Sequence, residues 1–435
     1  MIRRYDSLFL LAVPLLLAGC GGALRSQQPA PQWTTGFWLW RGSPPLPAPA
    51  GLTLDVLYFQ AGEISSDQYV YGSMPDTLPP AREYWMVFRF DRQGFPSPSV
   101  VPLLMDAVAR LRTAARERHL NLAGIQVDID SPSGSLRQYA QVLHEVRKAL
   151  PPELGLSITA LLDWFHYDVG SVIKEVDEFV PQFYDAQSRY EPRAPIDAAL
   201  DAAKWGPILN SFGKRFRIGI ATFGRASAGP AFSYADLAPI DVASNPAFAL
   251  ETSHNTAGEP VLTYRATRNT SLGYNRVASG QSIQFILPST ETVRAAVQAA
   301  RRIGGSCAGV LFFRWPTLNE VLTMDPSDVL AAAGVGSHLE KPQPAIELVT
   351  GSCATVTCAD LYFLNAPPLN PAAVRYRIHP SANLEYFVPE QHIPARMSGS
   401  SDLEFSLPRY GGRRRILLGR AVSKTPVQFT VQALP

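Results

Sequence analysis

Eight short apolar runs, interleaved with stretches of helical periodicity, constrain this chain more than any other feature. The runs are Thr35–Trp40, Thr53–Gln60, Tyr84–Phe90, Gly124–Asp130, Leu156–Leu161, Phe179–Tyr184, Arg217–Phe223 and Ala308–Arg314. Between several of them, Ser99–His119, Ser135–Leu150, Pro195–Gly213 and Thr290–Ile303 carry apolar residues at helical spacing. Eight strands alternating with helices predict an α/β fold, a (β/α)₈ TIM-like barrel. The first two runs are separated mostly by proline-rich sequence, so little or no helix is expected there. The length of 435 residues accommodates such a barrel and a smaller second domain. A net charge of +2 leaves no strong basic field for nucleic acid.

The fourth run, Ala123-Gly124-Ile125-Gln126-Val127-Asp128-Ile129-Asp130, alternates strictly. Successive strand side chains point to opposite faces, so Gln126, Asp128 and Asp130 share one face and Ile125, Val127 and Ile129 the other. An apolar face fits packing on helices, and a polar face ending in two carboxylates fits the open mouth of a barrel. Neighbouring carboxylates do not both ionise freely, so one is expected to hold its proton above the usual range.

The long connection after the seventh run, Ala226 to Ser289, predicts an insertion, residues 226–289, at the rim of the site. It contains the strand-like pieces Glu259–Thr267 and Ser282–Leu287. Residues 34–336 are assigned to the barrel. From 345 to 435 short alternating runs predict a small all-β, sandwich-like C-terminal domain, with an envelope protein as a candidate partner. At the N-terminus, Arg3 and Arg4 precede the apolar stretch Leu8–Leu17, too short to span a bilayer. Leu17-Ala18-Gly19-Cys20 resembles the bacterial lipoprotein signal, which implies a signal peptide over 1–20, lipidation of Cys20 and a tether over 21–33. The expected location is the cell envelope, at the outer membrane facing the periplasm. Cys353 and Cys358 are spaced for a small-loop disulfide in an oxidising compartment. No histidine–cysteine spacing suggests a metal site, and no cofactor is expected.

At four places the barrel resembles family 18 glycoside hydrolases, the chitinase-like enzymes. That family ends its fourth strand with Asp-Gly-x-Asp-x-Asp-x-Glu; here Gly124 holds the glycine, Asp128 the third aspartate and Asp130 the position of the glutamate, while Ala123 and Gln126 replace the first two aspartates. Gln182-Phe183-Tyr184-Asp185 stands at the family's Met-x-Tyr-Asp, Phe223-Gly224-Arg225 at its Tyr-Gly-Arg, and Gly309-Val310 leads to Phe313 and Trp315 at the eighth strand. The chain is also similar to bacterial lipoproteins of the domain of unknown function 3142 group, which carry a Ser-Ile-Thr-Ala-Leu strand, here Ser157–Leu161. The resemblance implies Asp130 as the acid, Asp128 as its modulator and Tyr184 as a group that holds the substrate. Asp130 is one methylene shorter than Glu and withdraws its carboxyl group by roughly 1.5 Å. A misplacement of about 1 Å costs on the order of 100-fold in rate. Either the backbone compensates, the substrate differs, or the barrel does not catalyse.

Gln126, Gln182, Asp185, Arg225, Phe313, Trp315, Trp38 and Trp164 are the candidate substrate-binding residues, with Asp163 and Glu63 as further rim carboxylates. Each has an ordinary structural role open to it as well, since large aromatics are common core residues. The expectation is a lipid-anchored envelope protein whose barrel binds and hydrolyses a glycan by carboxylate acid catalysis. The alternative is a catalytically inactive glycan-binding or envelope-assembly lipoprotein.

Overall fold

The computed structural model describes residues 32–40, 44–65, 68–70, 74–90, 98–184, 200–228, 237–254, 258–273, 275–318, 320–336, 339, 343–351, 353, 357–366, 369–390, 393, 395–399, 401–411 and 413–434. Cys20, the leader, most of the tether and Asp185 lie outside the described residues.

Eight parallel strands close into a barrel: β1 (Thr34–Leu39), β2 (Leu54–Ser65), β3 (Ala81–Phe90), β4 (Leu122–Asp128), β5 (Gly155–Ala160), β6 (Glu178–Pro181), β7 (Arg215–Ala221) and β8 (Cys307–Trp315). Each strand pairs with the next in sequence, and β8 returns to β1. Helices Val100–Glu117, Leu136–Ala149, Ala202–Asn210 and Thr290–Ile303 follow β3, β4, β6 and the insertion. Among the described residues no helix joins β1 to β2. The third helix is shorter than its periodicity predicts; Asp201 sets its start by accepting a hydrogen bond from the Ala203 amide at 2.9 Å.

The outer faces of the strands join the helices in one apolar cluster that includes Ile125 and Val127 of β4 with Leu104, Val108, Leu143 and Val146. The barrel interior is also filled. At its N-terminal end the Trp85 ring covers Gly124 and Gly155, where a methyl group would come within 2.5 and 2.7 Å of it. The Gly155 carbonyl, 2.3 Å from where a methyl group at Gly124 would sit, and the Trp85 ring together leave room only for glycine at 124. Beside it Tyr58 stacks on Trp85, donates to Glu178 Oε1 at 2.6 Å and accepts from Arg217 Nη1 at 3.1 Å. The same Arg217 guanidinium pairs with Glu178, and both side chains are buried. Burial opposes the charge on Arg217, but Glu178 outweighs it and holds the guanidinium charged.

Two four-stranded antiparallel sheets follow the barrel. One consists of Ala345–Gly351, Thr357–Leu364, Arg415–Ser423 and Tyr386–Pro389, the other of Arg396–Ser398, Asp402–Leu407, Val374–Pro380 and Phe429–Leu434. Phe363 of the first meets Tyr376 and Phe405 of the second at 4.7 and 4.9 Å between ring centroids. Cys353 and Cys358 are joined by a disulfide beside the first sheet.

The insertion builds a further sheet from Phe248–His254, Pro260–Ala266, Ser282–Ile286 and the short strand Arg225–Ser227. Its Leu262 and Phe285 share an apolar cluster with Leu361 and Phe405 of the C-terminal sheets. Arg413 clasps Asp241 across this junction at 2.7 Å. The insertion thus packs toward the C-terminal sheets and contributes no described residue to the wall of the barrel mouth.

Candidate functional site

A cleft of about 940 Å³ opens at the C-terminal mouth of the barrel. One side is aromatic. Tyr184 stacks on Phe313 at 5.3 Å and 20°, Trp40 and Phe223 meet the same Phe313 ring edgewise at 5.4 and 5.6 Å, and Trp38 lies beneath at 5.9 Å. Trp38 needs room, and β7 provides it: a methyl group at Gly219 would sit 3.1 Å from Trp38 and 3.2 Å from Tyr184. The Trp38 indole Nε1 donates to Gln126 Oε1 at 2.7 Å, and the Gln126 amide donates to Ser157 Oγ at 3.2 Å.

The other side is charged. Asp128, at the end of β4, is buried; it accepts from Thr159 Oγ1 at 2.6 Å and from Arg89 Nη1 at 2.9 Å. Asp130 follows on the same face, with its side chain 20% exposed, and its Oδ2 lies 3.2 Å from Arg89 Nη2. One guanidinium therefore spans both carboxylates. Burial pushes the Asp128 carboxyl above the usual carboxylate range; Arg89 and the Thr159 hydroxyl pull it part of the way back, and Asp130 adds to the rise. Burial opposes the charge on Arg89, but Asp128 and Asp130 outweigh it and hold the guanidinium charged. The raised carboxyl is Asp128, and its first cause is burial rather than the neighbouring carboxylate.

Asp128, Asp130, Tyr184, Gln182, Trp38, Phe313 and Asp163 all line the cleft. Five other described candidates do not: Glu63, on β2, is not among the lining residues, and the remaining four are placed as follows. Gln126 is fully buried below the cleft, with its amide engaged by Trp38 and Ser157. Trp315 points outward, edge-on to Phe37, and donates from Nε1 to the Leu46 carbonyl at 2.9 Å. The reason is a register shift: Trp38 pairs with Phe313 but Leu39 with Trp315, so Arg314 is an extra residue and the alternation inverts. Trp164 is buried against Tyr139 and donates to the Ser131 carbonyl at 2.9 Å, behind the β4 turn. Arg225 opens a strand of the inserted sheet, opposite Ile286.

Arg89 and Trp40 are site residues that the motifs do not mark, and Thr159 lies within the Ser157–Leu161 motif without having been singled out. Arg89 is the one charged residue within the apolar run Tyr84–Phe90, on the face of Trp85 and Val87, and that was its signal in the sequence. Among the described residues no group of three or more His, Cys, Asp or Glu side chains is placed to hold a metal ion.

Several solved structures share the barrel shape. A chitinase from Chromobacterium violaceum matches at 13% identity over 71% of this chain and 100% of its own, with a TM-score of 0.46. The Bacillus cereus spore cortex-lytic enzyme SleL matches at 12% identity over 66% of this chain and 72% of its own, with a TM-score of 0.43. The class V chitinase of Nicotiana tobaccum, solved in complex with NAG4, matches at 13% identity over 70% of this chain and 100% of its own, with a TM-score of 0.43. No curated protein sequence matches the chain. Residues 81–246, from β3 into the insertion, match the family model described as domain of unknown function 3142 (DUF3142).

Proposed function

We propose that the cleft at the barrel mouth binds a glycan. The observation that carries this reading is its mixed lining, with Trp40, Phe223, Phe313 and Tyr184 beside Asp128, Asp130, Arg89 and Thr159 around a space of about 940 Å³ and the Arg89 guanidinium 5.9 Å from the centre of the Trp40 ring. Sugar rings present apolar C–H faces that stack on aromatic rings, and hydroxyl edges that bond to carboxylates and guanidinium groups. The active sites of such barrels lie at this face.

Hydrolysis is a second reading, favoured by the raised carboxyl of Asp128 at the floor of the cleft. In that reading Asp130, which faces the cleft, protonates the leaving oxygen once a ligand has displaced it from Arg89. Anchoring through a lipidated Cys20, at the outer membrane facing the periplasm, belongs to the same proposal. It is supported by Arg3, Arg4, Leu8–Leu17 and the Leu17-Ala18-Gly19-Cys20 sequence.

The test is a screen of the purified protein against envelope and exported glycans, scoring binding and cleavage separately. Binding that Tyr184→Ala weakens supports the reading. Cleavage that Asp130→Asn lowers about 100-fold or more supports hydrolysis. A protein that binds no glycan in the screen overturns both.

A further inference from the structure

The charge balance of the cleft narrows the class of glycan, and this step rests on the glycan reading above. Among the described residues that line the cleft, Asp128, Asp130 and Asp163 supply three carboxylates and Arg89 the one guanidinium. Arg89 is engaged on both sides, at 2.9 Å with Asp128 and 3.2 Å with Asp130, so a ligand meets a clamp rather than an open anion receptor. Asp163 accepts from Ser133 Oγ at 2.7 Å, a neutral donor that leaves its charge in place. Glu63 adds a further carboxylate within the field of Arg89. Arg314, which lies over the Phe313 and Phe223 rings, is paired with Glu320.

An anionic sugar entering this cleft has to compete with Asp128 and Asp130 for Arg89 and then faces Asp163. A cationic one meets the opposite situation. A cleft whose charged groups are in excess of one sign, here three carboxylates to one guanidinium, favours ligands of the other sign. The aromatic wall is compatible with cations, since Arg89 lies over Trp40 at 5.9 Å and Arg314 over Phe313 and Phe223 at 5.3 and 6.0 Å.

We infer that the ligand is an amino-sugar oligomer with free, protonated amines, a hexosamine chain lacking N-acetyl groups, whose ammonium groups are directed to Asp130 and Asp163 while its rings stack on Trp40, Phe223 and Phe313. No bond is made or broken in this recognition step.

Calorimetric titration of the full-length protein with glucosamine oligomers, and with N-acetylglucosamine oligomers of equal length, tests it. The free-amine oligomer should bind about tenfold more tightly or better at low salt. That preference should shrink as salt is raised from about 50 to about 500 mM, because exposed charges are screened. Asp163→Asn should narrow the ratio between the two ligands; the salt series on the unmodified protein tests the same point without any variant. N-acetylated or uronic-acid oligomers binding as tightly as the free-amine oligomer overturn the amino-sugar assignment and leave the glycan reading standing. Failure of every oligosaccharide to bind overturns both.

Discussion

Arg89 Nη2 and Asp130 Oδ2 meet at 3.2 Å across the barrel mouth, between β3 and the turn that follows β4. The other arm of the same guanidinium holds Asp128 at 2.9 Å. The carboxylate pair therefore works as a triad with a cation, and the behaviour of either acid depends on Arg89.

Removing the cation should move the Asp128 titration upward. Burial is the largest cause of the raised Asp128 carboxyl and Arg89 is the largest opposing one. Arg89→Gln removes the opposing charge, so the Asp128 carboxyl should titrate at higher pH than in the unmodified protein. Carboxyl ¹³C NMR of labelled aspartate reads this directly. A downward shift, or none, contradicts the clamp.

The same carboxyl makes stability depend on pH in a defined sense. A folded-state pKa above the unfolded value contributes stability that is complete below the ordinary carboxylate pKa and is lost as pH rises through the raised value. Asp128→Asn removes that titration. As pH rises from below the ordinary carboxylate pKa through the raised value, the unmodified protein should therefore lose stability relative to the variant. Urea denaturation at a series of pH values measures it, and a difference that stays constant with pH counts against the assignment.

Glu178 and Arg217 form a buried pair at the opposite end of the barrel. Glu178→Ala leaves a buried guanidinium without its counter-charge and should cost about 3–5 kcal/mol of stability. Adding Arg217→Met to that variant should recover part of the loss, because the stranded charge is then gone. A double variant less stable than Glu178→Ala alone argues against the pair as the source.

Cys20→Ser tests the anchor separately from the barrel. A multiply acylated cysteine gives stable membrane attachment, whereas a signal without it does not. The variant should appear in the soluble periplasmic fraction or as unprocessed precursor. Unchanged fractionation with membranes removes Cys20 as the anchor.

The barrel was legible because its strands are separated by helices of clear periodicity and because β4 alternates without interruption up to Asp128. Trp315 was misplaced because one extra residue in β8 inverts the alternation, and nothing in the sequence marks that position. Arg89, Glu178 and Arg217 look like isolated charges in apolar strands; what they share is visible only when closure brings β3 beside β4, and β6 beside β7. Individual C-terminal strands were harder to read: Tyr386–Pro389 is four residues long and pairs only with the distant Arg415–Ser423, and Arg396–Ser398 is a three-residue strand in a local hairpin with Asp402–Leu407. The destination of the insertion was not legible either, since its apolar residues do not reveal whether they face the barrel or the C-terminal sheets.

The central claim, a glycan seated on the aromatic wall of the barrel mouth, is tested most directly by the indole N–H resonances of the seven tryptophans. Trp40 lines the cleft and Trp38 lies at its floor, while Trp85, Trp164, Trp205 and Trp315 are buried away from it. Titration with the tightest-binding oligosaccharide should shift Trp40 most and Trp38 next, leaving those four in place, and Phe313→Ala should weaken the response. Shifts confined to tryptophans away from the cleft, or no shift with any oligosaccharide tested, would contradict the account.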